Sequence, residues 1–326
     1  MKKEVISEME KYNVFALRIN LSHTPEGLVK DKIEAIQSYT KIPICLDSEG
    51  AQMRNHSMAN GGAVFTAGDI IKVHFDEIVG DSNNISFSPR RAAKQFSVGD
   101  EIRIDFNLSK IKLIERNKRC FLAKVIIGGK VKSNKAADLN REINLDPITK
   151  KDRKAIAIGR KMGVNLFALS FSESGENVKR MRELAGEKAK IISKVESLRG
   201  VNSLMEILEA SDEILIDRGD LSRQVCLEKI PFLQRRIVSI ARSKHVPVLV
   251  ATNLLESMVV SPVPTRAEVN DVISTLLMGA DGLVLAAETA IGNFPVGAVE
   301  MISKLIDQYN LWTPNTSIQE LLNNGA

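Results

Sequence analysis

Short apolar runs that end on polar residues recur in the second half of the chain. Three of them are Ile191-Ile-Ser-Lys194-Val-Glu196, Ile214-Leu-Ile-Asp-Arg-Gly-Asp220 and Val248-Leu-Val-Ala-Thr252. The segments between them, residues 202–210 and 231–244, have helical spacing. Buried parallel strands give continuous apolar runs, and alternation with helices places the carboxyl ends of the strands at one face. The pattern predicts an α/β fold, a (β/α)₈ barrel of the TIM type, with polar residues gathered at that face.

Between residues 56 and 132 the pattern changes to alternating apolar and polar positions. Ile70-Ile-Lys-Val-His-Phe75 and Phe121-Leu-Ala-Lys-Val-Ile-Ile127 are examples, and turn signals such as Gly128-Gly129 separate the runs. A period of two is typical of strands with one buried face. The sequence therefore predicts a small all-β barrel domain at residues 56–132, inserted in a barrel domain made of residues 1–55 and 133–326.

The inserted domain has a second interpretation, as a binder of oligonucleotides or sugars. Stacking on bases would need exposed aromatic side chains. Phe96, Phe106 and Phe121 lie at predicted strand positions, where we expect them to fill the core of the small barrel.

Composition narrows the range of functions. A chain of 326 residues with 44% hydrophobic residues can bury a large core. A formal charge of +5 with 5% aromatic residues favours anionic small molecules as partners and argues against nucleic acid. The three cysteines have no paired spacing, and the chain has neither a signal peptide nor an apolar run of about 18 residues. We therefore expect reduced thiols, a cytoplasmic location and no membrane association.

Four polar residues, Lys194, Glu196, Asp220 and Thr252, are predicted to converge at the strand ends. Two carboxylates on neighbouring strands are suitable oxygen ligands for a hard cation such as Mg²⁺, and a lysine beside them supplies the charge that phosphoryl transfer needs. Taken singly, Lys-x-Glu and Arg-Gly-Asp are common in solvated loops. Their position at the same end of successive strands favours a functional site.

These segments resemble the successive signatures of the pyruvate kinase family. The resemblance rests on Lys194-Val-Glu196 with Gly200, Asp217-Arg-Gly-Asp-Leu221, Ala251-Thr-Asn-Leu-Leu-Glu-Ser-Met258, Pro264-Thr-Arg-Ala-Glu-Val269, Arg18-Ile-Asn-Leu-Ser-His23 and Asp47-Ser-Glu-Gly50 with Arg54. It covers nearly the whole chain. It implies a phosphorylated small-molecule substrate and a homo-oligomer.

The resemblance also implies roles for the residues at the strand ends. Glu196 and Asp220 would hold Mg²⁺ or Mn²⁺, and the backbone amides of Gly219 and Asp220 would receive a substrate carboxylate. Lys194 and Arg18 would neutralise the phosphoryl group in transfer. Thr252 would orient the water or proton that meets the enolate.

Two further binding sites are implied by the same resemblance. A monovalent cation, K⁺, would be held by an oxygen cage of Asn20, Ser22, Asp47 and Ser48, although Asn20-Leu-Ser22 is also typical of a helix cap. The inserted domain would close over a nucleotide bound by Arg54, Lys135 and His23. Lys135 has an equally simple interpretation as an exposed lysine at a hinge.

The sequence departs from the family pattern on the nucleotide side. Ala286 and Ile291 stand where the family has a serine and a lysine, Glu49 replaces a lysine, and Gln52 replaces an acid linked with dependence on K⁺. The first barrel strand and the regulatory domain have no counterpart in the pattern, so that seven strands are predicted and exposed sheet edges would need covering.

These observations predict a pyruvate kinase-like, Mg²⁺-dependent phosphotransferase or enol-phosphate enzyme that acts on phosphoenolpyruvate or pyruvate and has low activity with ADP. Two alternatives stay open. One is a catalytically weak paralogue that binds a phosphorylated metabolite and works through a partner. The other is a metal-dependent lyase that acts on the enolate of pyruvate.

Overall fold

The computed structural model describes residues 2–50, 52–105 and 108–323. The chain divides into two compact units. One consists of Met1–Glu49 with Ile148–Ala326, and the other is Gly50–Pro147. The second unit contains the whole of the predicted insert at residues 56–132.

The strands are numbered in chain order. They are β1 (Leu17–Asn20), β2 (Ile44–Asp47), β3 (Met53–Asn55), β4 (Ala63–Phe65), β5 (Ile70–His74), β6 (Asn84–Ser88), β7 (Glu101–Ile104), β8 (Ser109–Arg116), β9 (Cys120–Ile127), β10 (Gly129–Val131), β11 (Ala136–Leu139), β12 (Leu166–Leu169), β13 (Lys190–Val195), β14 (Glu213–Asp217), β15 (Val248–Ala251) and β16 (Gly282–Val284).

The α-helices are numbered in the same way. They are α1 (Lys3–Met9), α2 (Val29–Tyr39), α3 (Arg90–Ala93), α4 (Lys150–Lys161), α5 (Gly175–Ala185), α6 (Leu198–Asn202), α7 (Leu204–Ala210), α8 (Arg218–Leu221), α9 (Ile230–Ser243), α10 (Arg266–Leu277), α11 (Ala287–Ala290), α12 (Pro295–Leu311) and α13 (Ile318–Asn323). None of those in the described ranges is both long and apolar enough to cross a membrane.

The first unit is built on a parallel sheet of seven strands in the order β1-β2-β12-β13-β14-β15-β16. Every neighbouring pair is parallel. Helices connect the strands, as the alternating pattern predicted, and the carboxyl ends of the strands therefore lie along one edge. The structure confirms the α/β class and the seven strands expected from the sequence.

The two faces of this sheet have different roles. Phe167, Ile191 and Ile214 pack against the helices in the main core, which also contains Ile156 and Val238. Their neighbours point to the opposite face and form a smaller apolar layer of Cys45, Leu166, Ala168, Ile192, Leu215 and Ala251. Because side chains alternate along a strand, a strand buried on both faces gives the continuous apolar runs seen in the sequence.

The sheet of the first unit has two edges. In the part of the chain that the structure describes, β1 pairs with β2 alone and β16 with β15 alone. β12 and β14 are wholly buried, whereas all three residues of β16 and most of β1 are partly accessible. Helix α1, which precedes β1, packs against α12, which follows β16. Helices from the two edges of the sheet therefore contact each other.

The second unit is a closed barrel with the strand order β11-β3-β6-β5-β9-β8-β7, joined by a two-stranded sheet of β4 and β10. Phe65, Phe87 and Phe121 are buried in its core. Phe96 is also buried, as predicted, but it follows α3 and does not lie in a strand. Phe106 is outside the described residues. The inserted all-β barrel predicted from the alternating pattern is confirmed.

Candidate functional site at the strand ends

Polar residues stand at the carboxyl ends of six of the seven parallel strands. They are Asn20 on β1, Asp47 on β2, Ser170 after β12, Lys194 and Glu196 on and after β13, Asp217 on β14 and Thr252 after β15. The strand β16 is the exception, because Leu285 and Ala286 follow it. Parallel strands bring these ends to one edge, which is where barrel folds carry their functional groups.

Lys194 is the centre of the cluster. Its Nζ lies 3.1 Å from Oε2 of Glu196, 3.6 Å from Oδ1 of Asp47 and 3.8 Å from Oδ2 of Asp217. It also donates a hydrogen bond of 3.2 Å to Oγ of Ser170. Burial alone would lower the pKa of Lys194, but the three carboxylates outweigh it and raise this pKa above its ordinary value. The ammonium is therefore a fixed positive charge.

Glu196, Asp217 and Asp220 offer carboxylate oxygens that all lie within 4.8 Å of one another. Glu196 has no exposed surface, and its Oε1 accepts the backbone N–H of Phe171 at 2.7 Å. Burial raises the pKa of Glu196 to about 8, against the opposing effect of Lys194. Oε2 is buried and accepts no hydrogen bond from the described residues. Three carboxylates whose oxygens lie this close together form an oxygen-only set that fits Mg²⁺ or Mn²⁺.

Thr252 and the Gly219-Asp220 segment meet at the side chain of Asp217. Oδ1 of Asp217 accepts the Thr252 hydroxyl at 2.7 Å, the Gly219 N–H at 3.2 Å and the Asp220 N–H at 3.4 Å. Thr252 has a φ of 76°, which is rare for a β-branched residue. Strained backbone of this kind persists where the surrounding contacts impose it, and it is concentrated at functional sites.

Side chains of neighbouring elements hold this segment in place. Arg218 donates from Nη2 to the carbonyl oxygen of Thr252 at 2.6 Å and from Nη1 to Asp271 at 2.7 Å. Oδ1 of Asp220 accepts a hydrogen bond of 2.8 Å from Nη1 of Arg223. Asp220 is therefore part of the candidate metal site and at the same time forms an ion pair with Arg223.

The residues predicted to bind a monovalent cation lie beside Lys194. Asn20 and Asp47 are directly paired in the β1–β2 register, and Nη1 of Arg18 lies 3.3 Å from Oδ2 of Asp47. Ser48 Oγ accepts the N–H of Ser170 at 2.9 Å. Asn20 Oδ1 accepts the N–H of Ser22 at 2.9 Å, so Asn20 does cap a short helix, here the 3₁₀ turn Leu21–His23. The cation cage stays a prediction.

The residues predicted to bind a nucleotide belong to different units. Arg54 and Lys135 are in the second unit, where Lys135 Nζ lies 3.1 Å from both carboxylate oxygens of Asp105 and Arg54 donates to the carbonyl oxygen of Asn134. His23 ends the 3₁₀ turn in the first unit and is exposed. Their roles stay predictions.

The loop with Ala286 and Ile291 contains the short helix α11. Glu288 is buried there and accepts the N–H groups of Ala286 at 2.8 Å and Leu255 at 3.2 Å. Ile291 is 76% exposed. The loop is therefore built on a buried glutamate and presents an aliphatic side chain to solvent.

Sequence reasoning did not assign a role to Asp217 or Ser170. Both follow apolar runs, Ile214-Leu-Ile and Leu166-Phe-Ala-Leu, so the rule that identified Glu196 and Thr252 also applies to them. The resemblance directed attention to Asp220 within the Arg-Gly-Asp segment instead.

A family model described as the barrel domain of pyruvate kinase matches residues 1–299. The chain belongs to the pyruvate kinase family. A pyruvate kinase of Clostridium perfringens is 33% identical to it over 314 residues, which cover 93% of this chain and 66% of that protein. A pyruvate kinase of Methylorubrum extorquens is 32% identical over 311 residues, with 94% and 65% covered.

Solved structures agree with this membership. A crystal structure of a pyruvate kinase from Cryptosporidium parvum matches with a TM-score of 0.84 and 29% identity, and the match covers 96% of this chain and 67% of that one. The chain spans about two thirds of the length of these pyruvate kinases. The resemblance seen in the sequence is confirmed, together with the fold that it implied.

Proposed function

We propose that the protein is a Mg²⁺-dependent, pyruvate kinase-like phosphotransferase or enol-phosphate enzyme that acts on phosphoenolpyruvate or pyruvate. The observation that carries the proposal is the buried ammonium of Lys194, held 3.1 Å from Oε2 of the wholly buried Glu196, whose carboxylate clusters with those of Asp217 and Asp220. A fixed charge beside a candidate metal site is suited to stabilising a phosphoryl group in transfer.

Glu196 and Asp220 would hold the metal, Mg²⁺ or Mn²⁺. The N–H groups of Gly219 and Asp220 and the hydroxyl of Thr252 would bind the substrate carboxylate. When bound, a divalent cation neutralises the charge of the substrate carboxylate and phosphate. Carboxylates outnumber cationic side chains around Lys194, since Asp47, Glu196 and Asp217 face it while Arg18 is the neighbouring cation. A divalent cation beside Glu196 would favour the charged form of this carboxyl group, which burial otherwise disfavours, and this set of acids therefore supports a cation site.

Lys194 and Arg18 would act on the phosphoryl group as it leaves the enol oxygen. The bond between phosphorus and the enol oxygen would break as a new bond forms between phosphorus and an oxygen of the acceptor. The electron pair would stay on the enolate, and the two cationic side chains would stabilise the charge of the phosphoryl group during transfer. The enolate then takes a proton at its methylene carbon. The Thr252 hydroxyl, next to the candidate metal ligands, would orient the water that delivers this proton.

The monovalent cation and the acceptor complete the proposal. Asn20, Ser22, Asp47 and Ser48 would hold K⁺ beside Arg18. Arg54, Lys135 and His23 would contact a nucleotide, but an exposed aliphatic Ile291 and an apolar Ala286 offer no group for phosphate. We therefore infer low activity with ADP. The same loop favours the second candidate, a weak paralogue that binds a phosphorylated metabolite and works through a partner.

Calorimetric titration with Mn²⁺ tests the proposed site. The unmodified protein should bind Mn²⁺, and Glu196→Gln should abolish binding because the buried oxygen would no longer carry charge. Glu213→Gln is the matched control, since Glu213 is also buried but lies at the amino end of β14, beside Lys190. Unchanged Mn²⁺ affinity in Glu196→Gln, or equal losses in both variants, would remove the metal site and the proposal with it.

A further inference from the structure

The donors that the proposed function assigns to a substrate carboxylate already have a carboxylate on them. The N–H groups of Gly219 and Asp220 and the hydroxyl of Thr252 converge on Oδ1 of Asp217, at 3.2, 3.4 and 2.7 Å. One oxygen of one side chain thus accepts three hydrogen bonds from two separate strand ends, β14 and β15.

Asp217 is well held in this position. The residue is buried, at 8% exposure. The other oxygen, Oδ2, lies 3.8 Å from the ammonium of Lys194. The side chain therefore has a cation beside one oxygen and three hydrogen-bond donors on the other.

Asp217 already engages the N–H groups of Gly219 and Asp220, and both Thr252 and Asp217 lie close to Gly219. A Cβ atom at Gly219 would come within 2.8 Å of Thr252 Cγ2 and 3.4 Å of Asp217 Oδ1. A ligand that is to use the same N–H groups must therefore move the Asp217 side chain aside. Beside them, Oε2 of the wholly buried Glu196 lies 3.1 Å from Nζ of Lys194, and the carboxylates of Glu196, Asp217 and Asp220 form the cluster that could hold a metal ion.

We propose that Asp217 is a specificity-determining residue whose carboxylate competes, within the same molecule, with the carboxylate of any substrate. The inference rests on the proposed function, which assigns these donors to the substrate. A carboxylate ligand binds only after it displaces Asp217, whereas a ligand that carries phosphate alone does not need these donors. The site thereby weakens the binding of every ligand that presents a carboxylate, phosphoenolpyruvate included, relative to a ligand that carries phosphate alone.

The test compares two probes, oxalate and inorganic phosphate, titrated calorimetrically into protein saturated with Mn²⁺. The variants are Asp217→Ala, which frees the donors, and Asp217→Asn, which removes the charge but keeps an oxygen on them. Loss of a negative charge at position 217 should raise the affinity for oxalate and for phosphate by the same factor. Relief of competition should raise the affinity for oxalate alone. The fold-increase in oxalate affinity divided by the fold-increase in phosphate affinity therefore measures how far oxalate must displace Asp217.

We expect this ratio to be about tenfold or more in Asp217→Ala, the size of one charge-assisted hydrogen bond regained. In Asp217→Asn it should be smaller but above one, because an amide oxygen is a weaker competitor. Asp217→Asn retains the shape and the helix cap, so it answers the question if Asp217→Ala does not fold. A ratio of one in the folded variants, or weaker oxalate binding, would overturn the inference.

Titrations with Mn²⁺ alone separate this inference from the proposal beneath it. If Asp217→Ala loses Mn²⁺ as completely as Glu196→Gln, then Asp217 is a metal ligand and the inference is wrong while the proposed function stands. If the unmodified protein does not bind Mn²⁺, the proposed function fails and the inference falls with it. Normal Mn²⁺ binding together with a raised oxalate ratio supports both.

Discussion

The ammonium nitrogen of Lys194 lies 3.1 Å from Oε2 of Glu196, and the two side chains are 5% and 0% exposed. Such a pair is costly to bury, and breaking it by removing one partner leaves an uncompensated charge. A second lysine–glutamate pair, Lys190 with Glu213 at 2.9 Å, lies at the amino ends of the strands β13 and β14, away from the cluster, and Lys190 is largely exposed there. It supplies the matched controls for the first.

Lys194→Met should lower turnover of phosphoenolpyruvate by about 10²-fold or more, the usual effect of removing one charge stabiliser from a transition state. Mn²⁺ and phosphoenolpyruvate should still bind, because the change affects the phosphoryl group mainly in flight. Steady-state kinetics and calorimetry measure the two effects separately. Lys190→Met should leave turnover unchanged, and near-normal turnover in Lys194→Met would exclude this lysine from the mechanism.

Turnover with phosphoenolpyruvate, Mg²⁺, K⁺ and ADP should be very low. Charge-assisted hydrogen bonds to phosphate contribute roughly 1.5–3 kcal/mol each, so the loss of two would weaken ADP binding by about two to four orders of magnitude. A coupled assay for pyruvate on the purified protein gives the answer. A rate in the ordinary kinase range of about 1–100 s⁻¹ would show that this interpretation of the loop is wrong.

Restoring polar groups to the loop should raise ADP use. Ala286→Ser with Ile291→Lys returns a hydroxyl and a positive charge, and Ile291 is exposed enough to accept lysine without disturbing the core. We expect a lower KM for ADP by about tenfold or more, the size of one such contact. Ile291→Met is the control for side-chain length without charge. An equal gain in the control would mean that charge is not what the loop lacks.

Cys45 and Cys226 should differ sharply in reactivity. Burial, with the charge of Asp47, raises the pKa of the Cys45 thiol to about 12, whereas Cys226 is exposed. At pH 8 only about one Cys45 thiol in 10⁴ would be ionised, and the thiolate is the reactive form. Iodoacetamide followed by peptide mass mapping should label Cys226 in the folded protein and label Cys45 only after denaturation. Labelling of Cys45 under native conditions would contradict its burial.

Much of this fold was predictable because its signals are local. Period-two alternation marked the small barrel, and apolar runs with polar ends marked the parallel strands, since each pattern reflects which faces of a strand are buried. The error at Phe96 has a physical origin. A buried aromatic side chain satisfies the same pattern whether it stands in a strand or, as here, after a short helix.

The site was predictable in its location but not in its internal contacts. The strand-end rule brings Lys194, Glu196 and Thr252 together from spacing alone. That Asp217 accepts the Thr252 hydroxyl depends on a side-chain rotamer and on the positive φ at position 252, and neither leaves a trace in the order of residues. Asp220 and Arg223 are only three residues apart, but their hydrogen bond also depends on side-chain rotamers that the sequence does not reveal.

The open edges of the parallel sheet have a consequence for its motions. Among the residues that the structure describes, β1 and β16 each pair with one strand, so their outward-facing amides lack the second partner strand that β13 and β14 have. In hydrogen–deuterium exchange they should therefore exchange well before the amides of the central strands. Since β1 contains Arg18 and ends in Asn20, opening at this edge would release one wall of the candidate cation cage while Lys194 and Glu196 remain protected. Deuterium uptake measured peptide by peptide would thus rank the parts of the site by the free energy of their local unfolding.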